Sequence, residues 1–302
     1  MDAAGDPPVT SAPGKQRGLD TLATPEGVFA ILAIDHRDSL RAVLPGEPSD
    51  LELVAFKLDL LRGVGDVASG VMLEPELSLP HAVEEAALPG SVGFTAALEA
   101  QGYLDDPWSG PIRLMPGFTA LDAKKLGASA AKLLLPYSPD RPDHAEAQRK
   151  IVAEIVGLCS DLDLALMVEP VAFGMQPFDR PRVVVESLRQ LGGMGIDLLK
   201  VEFPGDPENP GGWAEACAQV DAATDVPWVL LSSGVSFEEY EAQLRVAFDN
   251  GCSGFTGGRA IWREAAMADG FSRASVIQDT VVGRVRQLRQ LAIDSARPWR
   301  DS

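Results

Sequence analysis

From residue 28 onward, short apolar runs alternate with longer stretches in which apolar residues recur every three or four positions. The runs predict strands, the stretches predict amphipathic helices, and their repetition predicts βα units around a parallel sheet. Candidate strands are residues 28–35, 70–74, 92–98, 130–135, 164–169, 197–203, 228–232 and 254–257. Helical patterns cover 49–63, 119–126, 142–159, 181–191, 211–223 and 236–250, then 260–268 and a closing helix over 272–292. Their boundaries carry local signals: Ser49 as an N-cap, Ser236-Phe-Glu-Glu239 as a capping box, and Gly127, Gly192 and Gly251 as stops. The second unit (74–91) has room for only a short helix, and a Gly/Pro-rich insertion at 102–117 interrupts the alternation.

Eight strands with helices between them predict a single (β/α)8 TIM barrel over residues 18–302 rather than an open doubly wound sheet. No GxGxxG follows any strand, so a dinucleotide site is not expected. Residues 1–17, rich in Pro, Gly, Ser and Ala, predict a disordered leader.

In such a barrel the loops after the strands build the functional mouth, so chemistry is sought at strand ends. In the sixth strand, Asp197-Leu-Leu-Lys-Val-Glu-Phe-Pro204, the period of two sets Leu198, Lys200 and Glu202 on one side and Leu199, Val201 and Phe203 on the other. The second side is wholly apolar and suits the helix layer, so Lys200 and Glu202 should point inward. A buried ammonium loses proton affinity, and an amine able to attack a ketone is the result. A structural Lys–Glu pair fits the same pattern. Lys132 shares the parity of Leu134 in the fourth strand, and two lysines at one mouth should depress each other's pKa.

The first strand ends in Ile34-Asp-His-Arg37, with Asp35 inward and Arg37 in the loop, where His36 and Arg37 are placed to meet an anionic substrate group. A helix-capping Asp and an ion-paired Arg are the alternative. Glu169 ends the clean apolar fifth strand and is the candidate acid–base, whereas Glu74 and Glu76 are expected to be structural. After the last two strands come Ser232-Ser-Gly-Val235 and Gly254-Phe-Thr-Gly-Gly-Arg-Ala260. There, small residues and glycines followed by helix N-termini let backbone N–H groups approach a phosphate, with the Arg259 guanidinium as a clamp.

Composition narrows the partners. With 44 acidic against 26 basic residues and a net charge of −18, the chain should repel nucleic acid and anionic membrane surfaces. No apolar run reaches the roughly 18 residues of a membrane span, and three unpaired cysteines point to the cytoplasm. The only histidines are His36, His81 and His144, without HxH or HExxH spacing, so no metal site is expected.

Together the segments Ala33-Ile-Asp-His-Arg37, Ala131-Lys-Leu-Leu-Leu-Pro-Tyr137, Leu199-Lys-Val-Glu-Phe-Pro204, Leu231-Ser-Ser-Gly-Val235 and Gly257-Gly-Arg-Ala-Ile-Trp262 resemble the tagatose-bisphosphate aldolase family, which includes sulfofructose-phosphate aldolases. The resemblance runs in order over roughly residues 28–265. It implies a class I aldolase in which Lys200 forms a Schiff base with a phosphorylated ketose, and Lys132 and Glu169 are its catalytic partners. It further implies that Asp35 and Arg37 bind substrate, that Ser233, Gly234, Gly258 and Arg259 hold a phosphate, and that the protein is a homo-oligomer without cofactor or metal. The family commonly has Gln where this chain has His36; Asp-His-Arg is also similar to aldolases acting on deoxyketogluconate phosphate. An isomerase using Glu169 and Lys200, or a non-catalytic sugar-phosphate sensor, remains compatible with the residues alone.

Overall fold

The computed structural model describes residues 12–302. Eight parallel strands close into a barrel in sequence order, β1 to β8. They are β1 (Phe29–Ala33), β2 (Gly70–Leu73), β3 (Gly93–Ala97), β4 (Ala130–Pro136), β5 (Ala165–Val171), β6 (Leu198–Val201), β7 (Trp228–Leu231) and β8 (Gly254–Gly257). Every strand expected from the apolar runs is present, with ends that shift by at most two residues: β4 and β5 run past the expected 135 and 169 to Pro136 and Val171, β8 is as expected, and the others are shorter.

Strand alternation divides the core in two. Phe29, Ile31 and Ala33 of β1 join Met72, Ala130, Ala165, Met167, Leu198 and Val229 inside the barrel. Ala30 and Leu32, with Leu133, Val168, Leu199 and Leu230, face the helix layer. This parity sends Lys132 and Lys200 inward, since they follow Ala130 and Leu198 by two positions.

The floor of the barrel is covered by α1 (Pro13–Leu22), whose Leu19 and Leu22 pack beneath Phe29 and Ile31, together with Trp299. The leader expected through residue 17 is corrected here: residues 13–17 are helical, and residues 1–11 of that expectation lie outside the described residues. Composition hid the helix because its N-terminal half docks through polar ties, the Gly14 N–H donating to Asp163 (2.8 Å) and Lys15 to Asp197 (2.9 Å). Gly18 is required by the closeness of that docking, for a Cβ there would lie 2.1 Å from the Ser129 carbonyl oxygen.

The outer layer comprises α2 (Asp38–Arg41), α3 (Asp50–Val64), α4 (Leu79–Glu84), α5 (Ala120–Lys125), α6 (Pro142–Asp161), α7 (Arg180–Leu191), α8 (Trp213–Asp221), α9 (Phe237–Phe248) and α10 (Arg259–Met267). The closing stretch is α11 (Arg273–Val276), a π-helical turn (Ile277–Val281) and α12 (Val282–Ser295). Ser49 caps α3 through a full capping box with Glu52. At α9 half of the expected box forms: Ser236 Oγ accepts from the Glu239 N–H at 3.1 Å. Among the described residues no helix is long and apolar enough to cross a membrane.

Candidate active site

Strand register explains how the charged side chains meet. Val168 of β5 pairs with Leu199 of β6, so the next residues, Glu169 and Lys200, stand side by side facing the lumen, and Lys200 Nζ lies 2.9 Å from Glu169 Oε1. Lys132 pairs with Met167 on one side and Ala97 on the other, which leaves Glu169 and Glu99 each two residues further up. A lysine reaches such diagonal neighbours. Its Nζ is 3.0 Å from Glu169 Oε2, 2.6 Å from Glu99 Oε1 and 3.0 Å from Asp35 Oδ2. The chain of charges is therefore Lys200, Glu169, Lys132, then Asp35 and Glu99, all buried at the mouth.

The expected mutual weakening of the two lysines does not hold for Lys132. Burial penalises its ammonium, but attraction from Asp35, Glu169 and Glu99 outweighs that and holds it well above the usual lysine range. Burial likewise opposes the Asp35 charge, yet Lys132 and then Lys200 keep that carboxyl well below its usual value. Each thus favours the charged form of the other. Glu169 differs: its Oε2 is buried and, although near Lys132, accepts no well-aligned hydrogen bond, so a lone pair is available.

His36 and Arg37 depart from their expected role as paired anion-binding cations. Arg37 is 4% exposed and saturated, with Nη1 donating to Glu76 (2.6 Å) and Nη2 to the Glu99 carbonyl (3.1 Å). It braces the loops that carry Glu76 and Glu99. The His36 imidazole is lowered to about 3 by burial, with Lys200, Arg259 and Lys57 adding to it and Asp35 opposing, so it is neutral. Its ring stands edge-on to Trp262 (centroids 5.1 Å apart), whose indole N–H donates to the Ala33 carbonyl. Glu202 points inward as expected but turns from Lys200 towards the Ala172 N–H (2.9 Å) and Arg180 (3.7 Å). Burial raises its carboxyl above the ordinary range.

The remaining predicted residues surround a pocket of about 330 Å³ lined by His36, Glu169, Lys200, Ser232, Ser233, Gly234, Gly258 and Arg259. Ser233 and Gly234 both have positive φ (45° and 76°), which turns the chain tightly above β7. A Cβ on Gly234 would sit 3.1 Å from the Arg259 guanidinium, and one on Gly258 would sit 2.7 Å from His36 Cε1. Arg259 has no carboxylate or hydrogen-bond partner among the described residues, and burial with repulsion from Arg263 lowers its proton affinity. A half-buried cation without a partner beside glycine backbone is suited to an anion.

Glu74 is fully buried and bonded to Lys57 at 2.5 Å, away from the pocket, and Glu76 braces Arg37. Both structural expectations stand. Three contributors were missed. Glu99 follows the third expected strand and shares the inward parity of Thr95 and Ala97, a signal that was present. Ser232 Oγ accepts from the Gly258 N–H at 3.2 Å, and Trp262 anchors His36; neither contact has a sequence signature.

An inward lysine in contact with a carboxylate, at the mouth of a closed β/α barrel and beside a guanidinium that no described residue pairs, suits an enzyme acting through an amine. The chain belongs to the DeoC/LacD family of aldolases, whose model matches residues 29–264. It is 31% identical to tagatose 1,6-diphosphate aldolase 2 of Enterococcus faecalis, over 84% of this chain and 85% of the relative. It is 27% identical to the tagatose 1,6-diphosphate aldolase of Lactococcus lactis, over 95% and 98%. Among solved structures, a Schiff-base-forming fructose-1,6-bisphosphate aldolase superposes with a TM-score of 0.63 at 20% identity, over 92% of this chain and 99% of that one. An archaeal fructose 1,6-bisphosphate aldolase gives 0.63 at 19%, over 93% and 100%. The two structures share the barrel fold.

Proposed function

We propose that this aldolase cleaves a phosphorylated ketose of the tagatose 1,6-diphosphate type through a Schiff base on Lys200, releasing an aldehyde first and dihydroxyacetone phosphate second. The observation that carries the reading is Lys200 Nζ held 2.9 Å from Glu169 Oε1 on the wall of a pocket whose other side presents Arg259, which has no partner among the described residues. The names of the relatives support the substrate class.

Glu169 takes the proton that Lys200 gives up, the free amine adds to the ketone, and Glu169 returns the proton as the carbinolamine loses water. The resulting iminium is the electron sink. Glu169, again a carboxylate, removes the proton from the hydroxyl beyond the scissile bond; that C–C bond breaks, its electrons form the enamine, and the aldehyde departs. Protonation of the enamine carbon and hydrolysis of the iminium free the second product and Lys200. Lys132, its charged form favoured by the surrounding carboxylates, orients Glu169, and Asp35 and Glu99 fix Lys132. Ser233, Gly234, Gly258 and Arg259 hold the phosphate, and neutral His36 offers a hydrogen bond rather than a charge. Arg37 and Glu202 act through their neighbours.

A homo-oligomer in the cytoplasm completes the proposal; the family resemblance supports the first, and the three free, buried cysteines are compatible with a reducing compartment. The test is cleavage of tagatose 1,6-diphosphate followed through dihydroxyacetone phosphate release. Turnover yielding that product is expected; failure to cleave any ketose phosphate in a panel of bisphosphates and sulfofructose phosphate would overturn the reading.

A further inference from the structure

The insertion at residues 102–117 has no place in the chemistry so far, yet it is firmly docked. Its two ends pair, the Ala100 N–H donating to Arg113 (2.8 Å) and the Met115 N–H to Leu98 (2.7 Å). Helix α6 holds its outer part: Gln148 Oε1 accepts from the Ile112 N–H at 3.1 Å, His144 Nε2 lies 2.9 Å from the Gly110 carbonyl oxygen, and Arg141 lies over Trp108 at 4.4 Å. The segment is thus a fixed flap that follows β3 and begins three residues beyond Glu99.

Its inward residue is Tyr103. The ring is half-buried and packs near Phe173 of the loop after β5, with centroids 6.1 Å apart. The hydroxyl bonds to no described residue, although a tyrosine in such surroundings ordinarily finds a partner. It lies within electrostatic reach of Lys132, Glu99, Glu169 and Asp35 on one side and of Arg259 on the other. It also borders a hollow of about 380 Å³ lined by Gln101, Gly102, Asp106 and Arg113.

The ring of strands gives this position a meaning. In the eight-strand order, β3 stands opposite β7, and the phosphate seat lies above β7 and β8. A ketose anchored at Arg259 and joined to Lys200 on β6 therefore extends its aldehyde-side half towards β3. Of the two basic residues expected to meet an anionic substrate group, Arg37 is saturated and His36 is neutral.

We infer that Tyr103 is a specificity residue, whose phenol donates a hydrogen bond to an oxygen on the distal, aldehyde-side half of the substrate. Burial, reinforced by Glu99, Glu169 and Asp35 against the opposing Lys132, holds the phenol above its usual range, so it stays a neutral donor throughout the working pH. No proton is transferred in this role.

The inference rests on the Schiff-base reading, and its test separates the two. Wild type and Tyr103→Phe, which keeps the ring, are compared in two assays: cleavage kinetics with tagatose 1,6-diphosphate, and borohydride trapping with dihydroxyacetone phosphate, which lacks the distal half. Loss of one neutral hydrogen bond predicts a fall of roughly two- to tenfold in kcat/KM, mostly through KM, with trapping unchanged in its dependence on dihydroxyacetone phosphate. Unchanged cleavage kinetics would overturn the assignment. Trapping weakened as much as cleavage would also overturn it, because the effect would then lie at the lysine or the phosphate seat. Absence of any adduct in the wild type would overturn the aldolase reading beneath it.

Discussion

Replacing Lys132 by Met probes the charge network most sharply. The methionine retains the apolar stem but removes an ammonium within 3.0 Å of Asp35, Glu99 and Glu169. Glu169 keeps Lys200, Glu99 keeps the more distant Arg37 at 4.0 Å, and Asp35 keeps no ammonium in contact. Breaking a buried pair by removing one partner costs about 3–5 kcal/mol, so a loss of that size is expected at pH 8. The loss should depend on pH, with a definite sign. In the wild type, the depressed Asp35 value gives stability that is present above about pH 4 and lost only below it, and the raised Lys132 value gives stability that is present below about pH 10 and lost above it. This cluster therefore contributes a flat profile between pH 5 and 9. In the variant, crowded carboxylates should take up protons more readily than the unfolded chain does, so the variant is penalised at high pH and recovers as pH falls. The recovery is about 1.4 kcal/mol per pH unit for each proton gained. Urea midpoints of both proteins, followed by tryptophan fluorescence at pH 5, 6, 7 and 8, give the difference directly. A difference below 1 kcal/mol, or one independent of pH, would refute the account of Lys132 as the centre of a carboxylate cage.

Three further outcomes are expected. Arg259→Met should leave thermal stability nearly unchanged, since the guanidinium has no partner among the described residues, while raising KM for a phosphorylated ketose about 10- to 150-fold, the equivalent of a charge-assisted hydrogen bond; steady-state kinetics with calorimetry check it. Gly258→Ala sets a methyl group 2.7 Å from His36 Cε1, and because Trp262 flanks that ring the clash should cost about 1–3 kcal/mol in a thermal melt. His36 binds a proton in the unfolded chain near pH 6.5 but in the folded protein only near 3, so the wild type should lose stability as pH falls below 6.5, by about 2 kcal/mol at pH 5. His36→Gln should remove that slope in urea titrations, whatever its effect on the absolute midpoint.

Much of the barrel is legible because each strand is a short apolar run and three of the helix starts carry a side-chain cap, at Ser49, Thr119 and Ser236. Parity within strands also places Lys132, Lys200 and Asp35 correctly, since one residue of slip would set an ammonium in the helix layer. What escapes is anything fixed by contacts distant in sequence. Whether Arg37 faces substrate or is used up inside depends on Glu76 and on the Glu99 carbonyl, 39 and 62 residues away. The rise in Lys132 proton affinity draws first on Asp35 and Glu169, and then on Glu99, which the diagonal register between β3 and β4 brings within reach and which lies one residue beyond the expected strand. The first helix was overlooked because half of its docking is polar, and composition alone does not separate polar docking from disorder.

The central claim is that Lys200 is the amine that bonds to the substrate. It is tested by incubating the protein with dihydroxyacetone phosphate and borohydride, measuring intact mass, and locating the modified peptide. The account predicts one adduct per chain on Lys200 and none in Lys200→Met. An unmodified wild type, or an adduct that persists in the variant, would contradict it.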